Sequence, residues 1–181
     1  MQPADIIALL LIIGVRGLVP LLVLRWPFWG ALLCIGGDAF DTFILDILWA
    51  TTIKQNYHLM DKFFDTYYLG FEAWVAYRRW VDPLARRTAL ALYGLRLGAA
   101  ILFELTHIRQ FFFIGANVFE NFYIYVAGRR ELDPDFRVGN ARRLALTLLF
   151  VGAPKLLQEY VMHYRQSETW WFVRTYILHW R

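Results

Sequence analysis

The chain has one cysteine among 181 residues, Cys34, so no disulfide can form within it. Cys34 sits in an apolar run and reads as an inert packing residue. The N-terminus has no basic leader region and no small-residue cleavage site. Its apolar run also exceeds the hydrophobic core of a signal peptide, so the first segment is expected to stay as a membrane helix. No basic face or known module speaks for nucleic acid, which is excluded as a partner. The net charge of +4 is carried mainly by arginines that flank hydrophobic stretches. No soluble domain fits between those stretches, and neither an internal repeat nor a low-complexity segment is present.

What the sequence has in abundance is apolar surface. Hydrophobic residues make up 59% of the chain and aromatic residues 18%, whereas soluble domains are nearer 45–50% apolar. Trp is unusually frequent, and Trp and Tyr favour membrane interfaces. A spanning helix needs about 20 mostly apolar residues. Six segments qualify, at roughly 5–25, 28–50, 59–80, 86–107, 109–127 and 143–164. The expected architecture is therefore an all-α, polytopic membrane bundle of six transmembrane helices over 1–164, with 165–181 as an interfacial tail carrying Trp170, Trp171 and Trp180. The very short connection around His107–Gln110 predicts a tight helical hairpin. The longest loop is Gly128–Arg142, with a turn at Asp133-Pro134. Arg78, Arg79, Arg86 and Arg87 flank one loop, and Arg129, Arg130, Arg137, Arg142 and Arg143 another. Both fall on one side, which the positive-inside rule makes cytoplasmic; the termini then face outward. A multi-pass place in a bacterial-type inner membrane is the expectation, with the bilayer as first partner. Arg129-Arg130 and Arg142-Arg143 are placed to meet phosphate headgroups.

Carboxylates inside these stretches carry the functional signal, because each costs several kcal/mol in a bilayer unless paired, solvated or metal-bound. At 100° per residue, Asp61, Asp65 and Glu72 fall at about 0°, 40° and 20°, a narrow acidic stripe on one helix. Asp38 and Asp41, three apart, share a face of the preceding helix, with Asp46 off to one side. Arg96 aligns with His107, and Glu104 lies close by. Asn117, Glu120 and Asn121 cluster in the fifth segment, and Lys155, Glu159 and His163 descend one face of the sixth. The bland reading is mutual neutralisation, with Arg16, Lys62, Arg96, Arg109 and Lys155 as available bases. The acids outnumber these bases, leaving room for a cation or protons.

Asp38-x2-Asp41 followed by Asp61-x3-Asp65 places four carboxylates on two helices, a donor set suited to one or two hard divalent cations such as Mg²⁺, Mn²⁺ or Ca²⁺. Over residues 10–66, with Arg16 and Pro20 in the first helix, the chain resembles the CDP-alcohol phosphatidyltransferases. These are six-span enzymes whose motif is D-x2-D-G-x2-A-R-x8-G-x3-D-x3-D. The resemblance implies Asp38, Asp41 and Asp61 as metal ligands for Mg²⁺ or Mn²⁺ and Asp65 as the base that activates an acceptor hydroxyl. The chain departs from the motif at Thr42, at Leu45-Asp46, at Tyr57, and by two extra residues between Asp41 and Asp61.

Two other constellations compete. Glu104-x2-His107 and Glu159-x3-His163, with Glu72 and Glu120, half match the carboxylate–histidine pattern of di-iron bundles. His107 and His163 are also conceivable haem ligands. A transport path along the acidic stripes is the third; Gly36-Gly37, Gly115, and Gly152 with Pro154 could open helices locally. Three function classes follow. One is a metal-dependent transferase acting on a lipid or phospho-alcohol. Another is a cation- or proton-coupled small transporter, which would need to form a homo-oligomer if no pore fits within six helices. The third is a non-catalytic subunit tied to a membrane partner. The transferase requires Asp38, Asp41 and Asp61 to converge with carboxylate oxygens within metal-coordinating reach; if they point apart or are bound to arginines, that reading fails. The transporter requires a water-accessible cavity reaching the Asp61–Glu72 stripe.

Overall fold

The computed structural model describes residues 3–47, 51–108, 110–111 and 115–160. Among the described residues there are six α-helices and no strand. The chain divides into two compact units, the first drawn from Met1–Arg79 and Arg130–Leu132, the second from Trp80–Arg129 and Asp133–Arg181.

In the first unit, helix α1 (Pro3–Leu18) runs into a 3-10 segment, Val19–Leu24. Pro20 explains the change, since its ring blocks the carbonyl four residues back and it donates no N–H. The chain turns at Arg25-Trp26, where both N–H groups donate to the Leu22 carbonyl, and Pro27 then opens α2 (Pro27–Ile47). The 3-10 segment packs closely on α2 at Gly30. A Cβ there would lie 2.6 Å from the Val23 Cα, so no larger residue fits. Helix α3 (Thr51–Arg79) is the longest, at 29 residues. Ala8 and Ile12 of α1, Ile44 and Leu45 of α2, and Phe64 of α3 form a buried core, with Met60 and Tyr67 packed against it.

In the second unit, α4 (Pro83–Thr106) is capped by Asp82, whose side chain accepts from the Leu84 N–H. It ends at His107 in the left-handed region, φ 55°. Helix α5 (Val118–Leu132) is capped by Asn117, and α6 (Ala141–Glu159) by Asn140. Trp80 stacks on Tyr123 and meets Phe122 edge-on, and Phe119, Phe122 and Tyr123 are fully buried. Asn121 of α5 donates to the Val151 carbonyl of α6. Asp82 reaches beyond its own helix. Its second oxygen accepts from Val138 N–H at 2.7 Å and Gly139 N–H at 3.2 Å, and Gly139 holds φ +79°, a conformation glycine adopts without strain.

Among the described residues, two helical stretches are long and apolar enough to cross a membrane: Asp5–Leu24 and Pro83–Thr106. The segment expected at 109–127 differs from a single helix. Residues 115–117 are not helical, and α5 starts only at Val118. Asn117 sets that boundary by accepting from the Glu120 N–H, so a side chain replaces the missing backbone acceptor. By contrast, α2 passes unbroken through Gly36-Gly37 and α6 through Gly152 and Pro154. The longest expected loop is shortened as well, because α5 runs on to Leu132. The tail after Tyr160 lies outside the described residues.

Candidate functional site

The first unit gathers four aspartates around one arginine. Arg16 is on the last turn of α1, and its side chain is 3% exposed. Its Nη1 donates to Asp38 Oδ1 at 2.7 Å, and its Nη2 to Asp65 Oδ1 at 2.8 Å. Asp61 is looser, with Oδ1 at 3.4 Å from Nη2. Asp41 Oδ2 lies 3.5 Å from Nε. Phe64 and Tyr68 flank the guanidinium at 5.8 and 6.0 Å. Tyr67 donates its hydroxyl to the Gly17 carbonyl, fixing the end of α1 against α3.

Helical spacing explains the convergence. Asp38 and Asp41 are three apart on α2, and Asp61 and Asp65 four apart on α3, so each pair lies on one face about a turn apart. Arg16 supplies a planar fork whose separate N–H groups meet several oxygens at once. The acids differ in exposure, however. Asp41 is 1% exposed, whereas Asp38, Asp61 and Asp65 are 52%, 34% and 31% exposed. The site therefore has a closed side, Arg16 with Asp41, and an accessible side.

One carboxylate oxygen from each of Asp38, Asp61 and Asp65 lies within 4.8 Å of the others. Among the described residues this is the acidic group compact enough to share a metal ion. Asp41, expected as a ligand with Asp38 and Asp61, stands outside it and faces the Arg16 Nε; Asp65, expected as the base, stands within it. Three carboxylate oxygens are a donor set that hard cations such as Mg²⁺ and Mn²⁺ accept. Four carboxylates against one guanidinium also leave a formal excess of three negative charges.

The remaining candidates do not join this cluster. Glu72 is fully buried in the first unit, two turns beyond Asp65 on α3. Arg96 donates to the Gly115 carbonyl at 3.3 Å in the second unit. Glu104 and His107 are exposed at the end of α4, while Glu120 is buried and accepts from Asn117 Nδ2 at 2.9 Å. Lys155 donates to Gln158. The side chains of Asp46 and Glu159, and all of His163, lie outside the described residues, so the histidine–carboxylate pattern is described only in part.

Asp82 is a structural residue to which the sequence reading gave no role. Burial alone would push its carboxyl up. The backbone N–H groups of Gly139, Leu84 and Val138 outweigh that and hold it below the usual carboxylate range. An Asp-Pro pair opening an apolar helix was the available signal. No known protein family, characterised protein or solved structure matches the chain.

Proposed function

We propose that the chain is a multi-pass membrane protein whose Asp38, Asp61 and Asp65 bind a divalent cation, Mg²⁺ or Mn²⁺, beside Arg16; because Arg16 contacts every one of the expected acids, transfer chemistry on a phospho-alcohol lipid is not part of the proposal. The observation that carries this reading is the approach of one oxygen from each of three partly exposed carboxylates to within 4.8 Å of one another, beside an arginine that carries only one positive charge. The membrane part rests on buried polar groups found together with exposed large apolar side chains. Arg16, Asp41, Glu72, Asn117 and Glu120 are buried, while Ile7, Leu10, Leu105, Leu149 and Phe150 are exposed. Water disfavours such faces, and lipid accepts them. The six-span reading adds the more polar helices to the two apolar ones.

A bound cation would offset the negative charge that Arg16 leaves on the four carboxylates. The chain's own residues have separate tasks. Arg16 orients Asp38 and Asp65 through its two terminal nitrogens and leaves their outer edges accessible. Asp65, held by Arg16 at 2.8 Å, adds one oxygen to the same trio. Asp41 holds the Nε side of Arg16 away from those outer edges.

The test is metal binding by the purified, chelator-stripped protein in detergent. Mn²⁺ should bind with a defined stoichiometry and show the paramagnetic signature of a carboxylate site. Asp61→Asn should weaken it at least about tenfold. Absence of stoichiometric binding at millimolar metal would sink the proposal.

A second reading has a specific observation behind it: every one of the four acids lies within 3.5 Å of Arg16. On that reading the cluster only locks α1, α2 and α3 together. Metal would then leave thermal stability unchanged, and Arg16 substitution alone would collapse it.

A further inference from the structure

The second unit contains a polar cleft of about 650 Å³ where the end of α5, the following loop and the start of α6 meet. Arg129, Arg137 and Arg143 line it, and Thr147 adds a hydroxyl. The volume falls in the usual range for small-molecule sites. Arg129 lies over the Phe136 ring at 5.0 Å, and Phe136 is set edge-on against Tyr125. This stack holds the guanidinium plane while its N–H groups stay available.

Asp133 and Asp135 lie on the cleft wall, yet among the described residues no ion pair within 4.0 Å joins either of them to the three arginines. Asp133 instead accepts from the Asp135 N–H and closes the local turn. The α6 terminus is also satisfied internally, because Asn140 caps it by accepting from the Arg143 N–H. The arginine side chains are thus not consumed by the fold. Three guanidiniums against two carboxylates leave a small formal positive excess, which suits one phosphate rather than a long polyanion.

We infer that this cleft binds a phosphate-bearing ligand, the phosphate held by Arg129, Arg137 and Arg143. Leu146 also lines the cleft, and the exposed Leu149 and Phe150 continue from it along α6. An anionic lipid would place its headgroup in the cleft and its chains along that face. A soluble phosphoester would use the same arginines without the apolar face. This inference is independent of the acidic centre in the first unit.

The experiment is native mass spectrometry of the full chain in detergent, titrated separately with phosphatidic acid, phosphatidylcholine and inorganic phosphate. Phosphatidic acid should bind at least about tenfold more tightly than phosphatidylcholine, and the Arg137→Gln/Arg143→Gln double variant should lose that preference. Preference for phosphatidic acid with no inorganic phosphate binding assigns the ligand to lipid. Inorganic phosphate binding that the double variant abolishes assigns the arginines to a soluble phosphoester. Equal affinity of wild type and double variant for both anionic ligands overturns the proposal. If the double variant fails to fold, Arg143→Lys with a salt titration replaces it. Salt-insensitive binding, or binding that does not discriminate the two lipids, is then the overturning result.

Discussion

Arg16 shows how one side chain sets the character of its surroundings. It is 3% exposed and lies against four carboxylates. Removing one partner of a buried ion pair costs about 3–5 kcal/mol, because the other charge is left without compensation. Arg16→Met should therefore lower stability by about that much, read as a fall in the thermal midpoint in detergent. Asp38→Asn should stay within about 1 kcal/mol of wild type, since its side chain is half exposed and solvent screens the lost pair. Asp38→Asn should nevertheless weaken metal binding, and this split separates a cation site from a simple lock. Asp82 gives the pH-dependent case. Its carboxyl is held below the ordinary range, so its stabilisation is present above the unfolded value of about 4 and is lost as pH falls through the folded value. Asp82→Ala should cost about 1–2 kcal/mol at neutral pH. In acid titrations monitored by circular dichroism, the gap from wild type should close below about pH 4. A gap that persists in strong acid would show that packing, not the ionised cap, matters there.

At the scale of elements, local chemistry sets the boundaries. Pro20 tightens the end of α1, Pro27 opens α2, and Asn117 and Asn140 cap α5 and α6. Such signals act over a few residues, so they were open to sequence reading; the proline in α6 shows their limit, as that helix continues past Pro154. Gly36-Gly37 did not open α2 either, whereas residues 115–117 are not helical. Close approach between elements is a different matter. At Gly30 the 3-10 segment comes so near that an added Cβ would meet the Val23 backbone. Gly30→Val should destabilise by about 1–3 kcal/mol through overpacking. A thermal midpoint equal to wild type would show that the contact relaxes freely.

At the scale of the whole molecule, the proposed membrane placement carries its own prediction. The arginine-rich connections predict outward-facing termini. A reporter joined after Arg181 should therefore be inactive if it works only in the cytoplasm, and active if it needs the outer face. The opposite result would move the junction of the second and third expected spans to the cytoplasmic side, where the transferases that residues 10–66 resemble keep their site.

The sequence by itself determined the helical class, the apolar faces and the acidic stripe of Asp61, Asp65 and Glu72, because periodicity and composition are local properties. It also offered Arg16 as one of several bases available to those acids. The structure alone decided that Arg16 is the one they share, that Asp41 closes the inner side, and that Asp38, Asp61 and Asp65 face outward together. It also separated Glu72 from that group by burial. These outcomes depend on how α1 and its 3-10 extension cross α2 and α3. Residues 16, 38 and 61 are far apart along the chain, so only tertiary packing makes them neighbours.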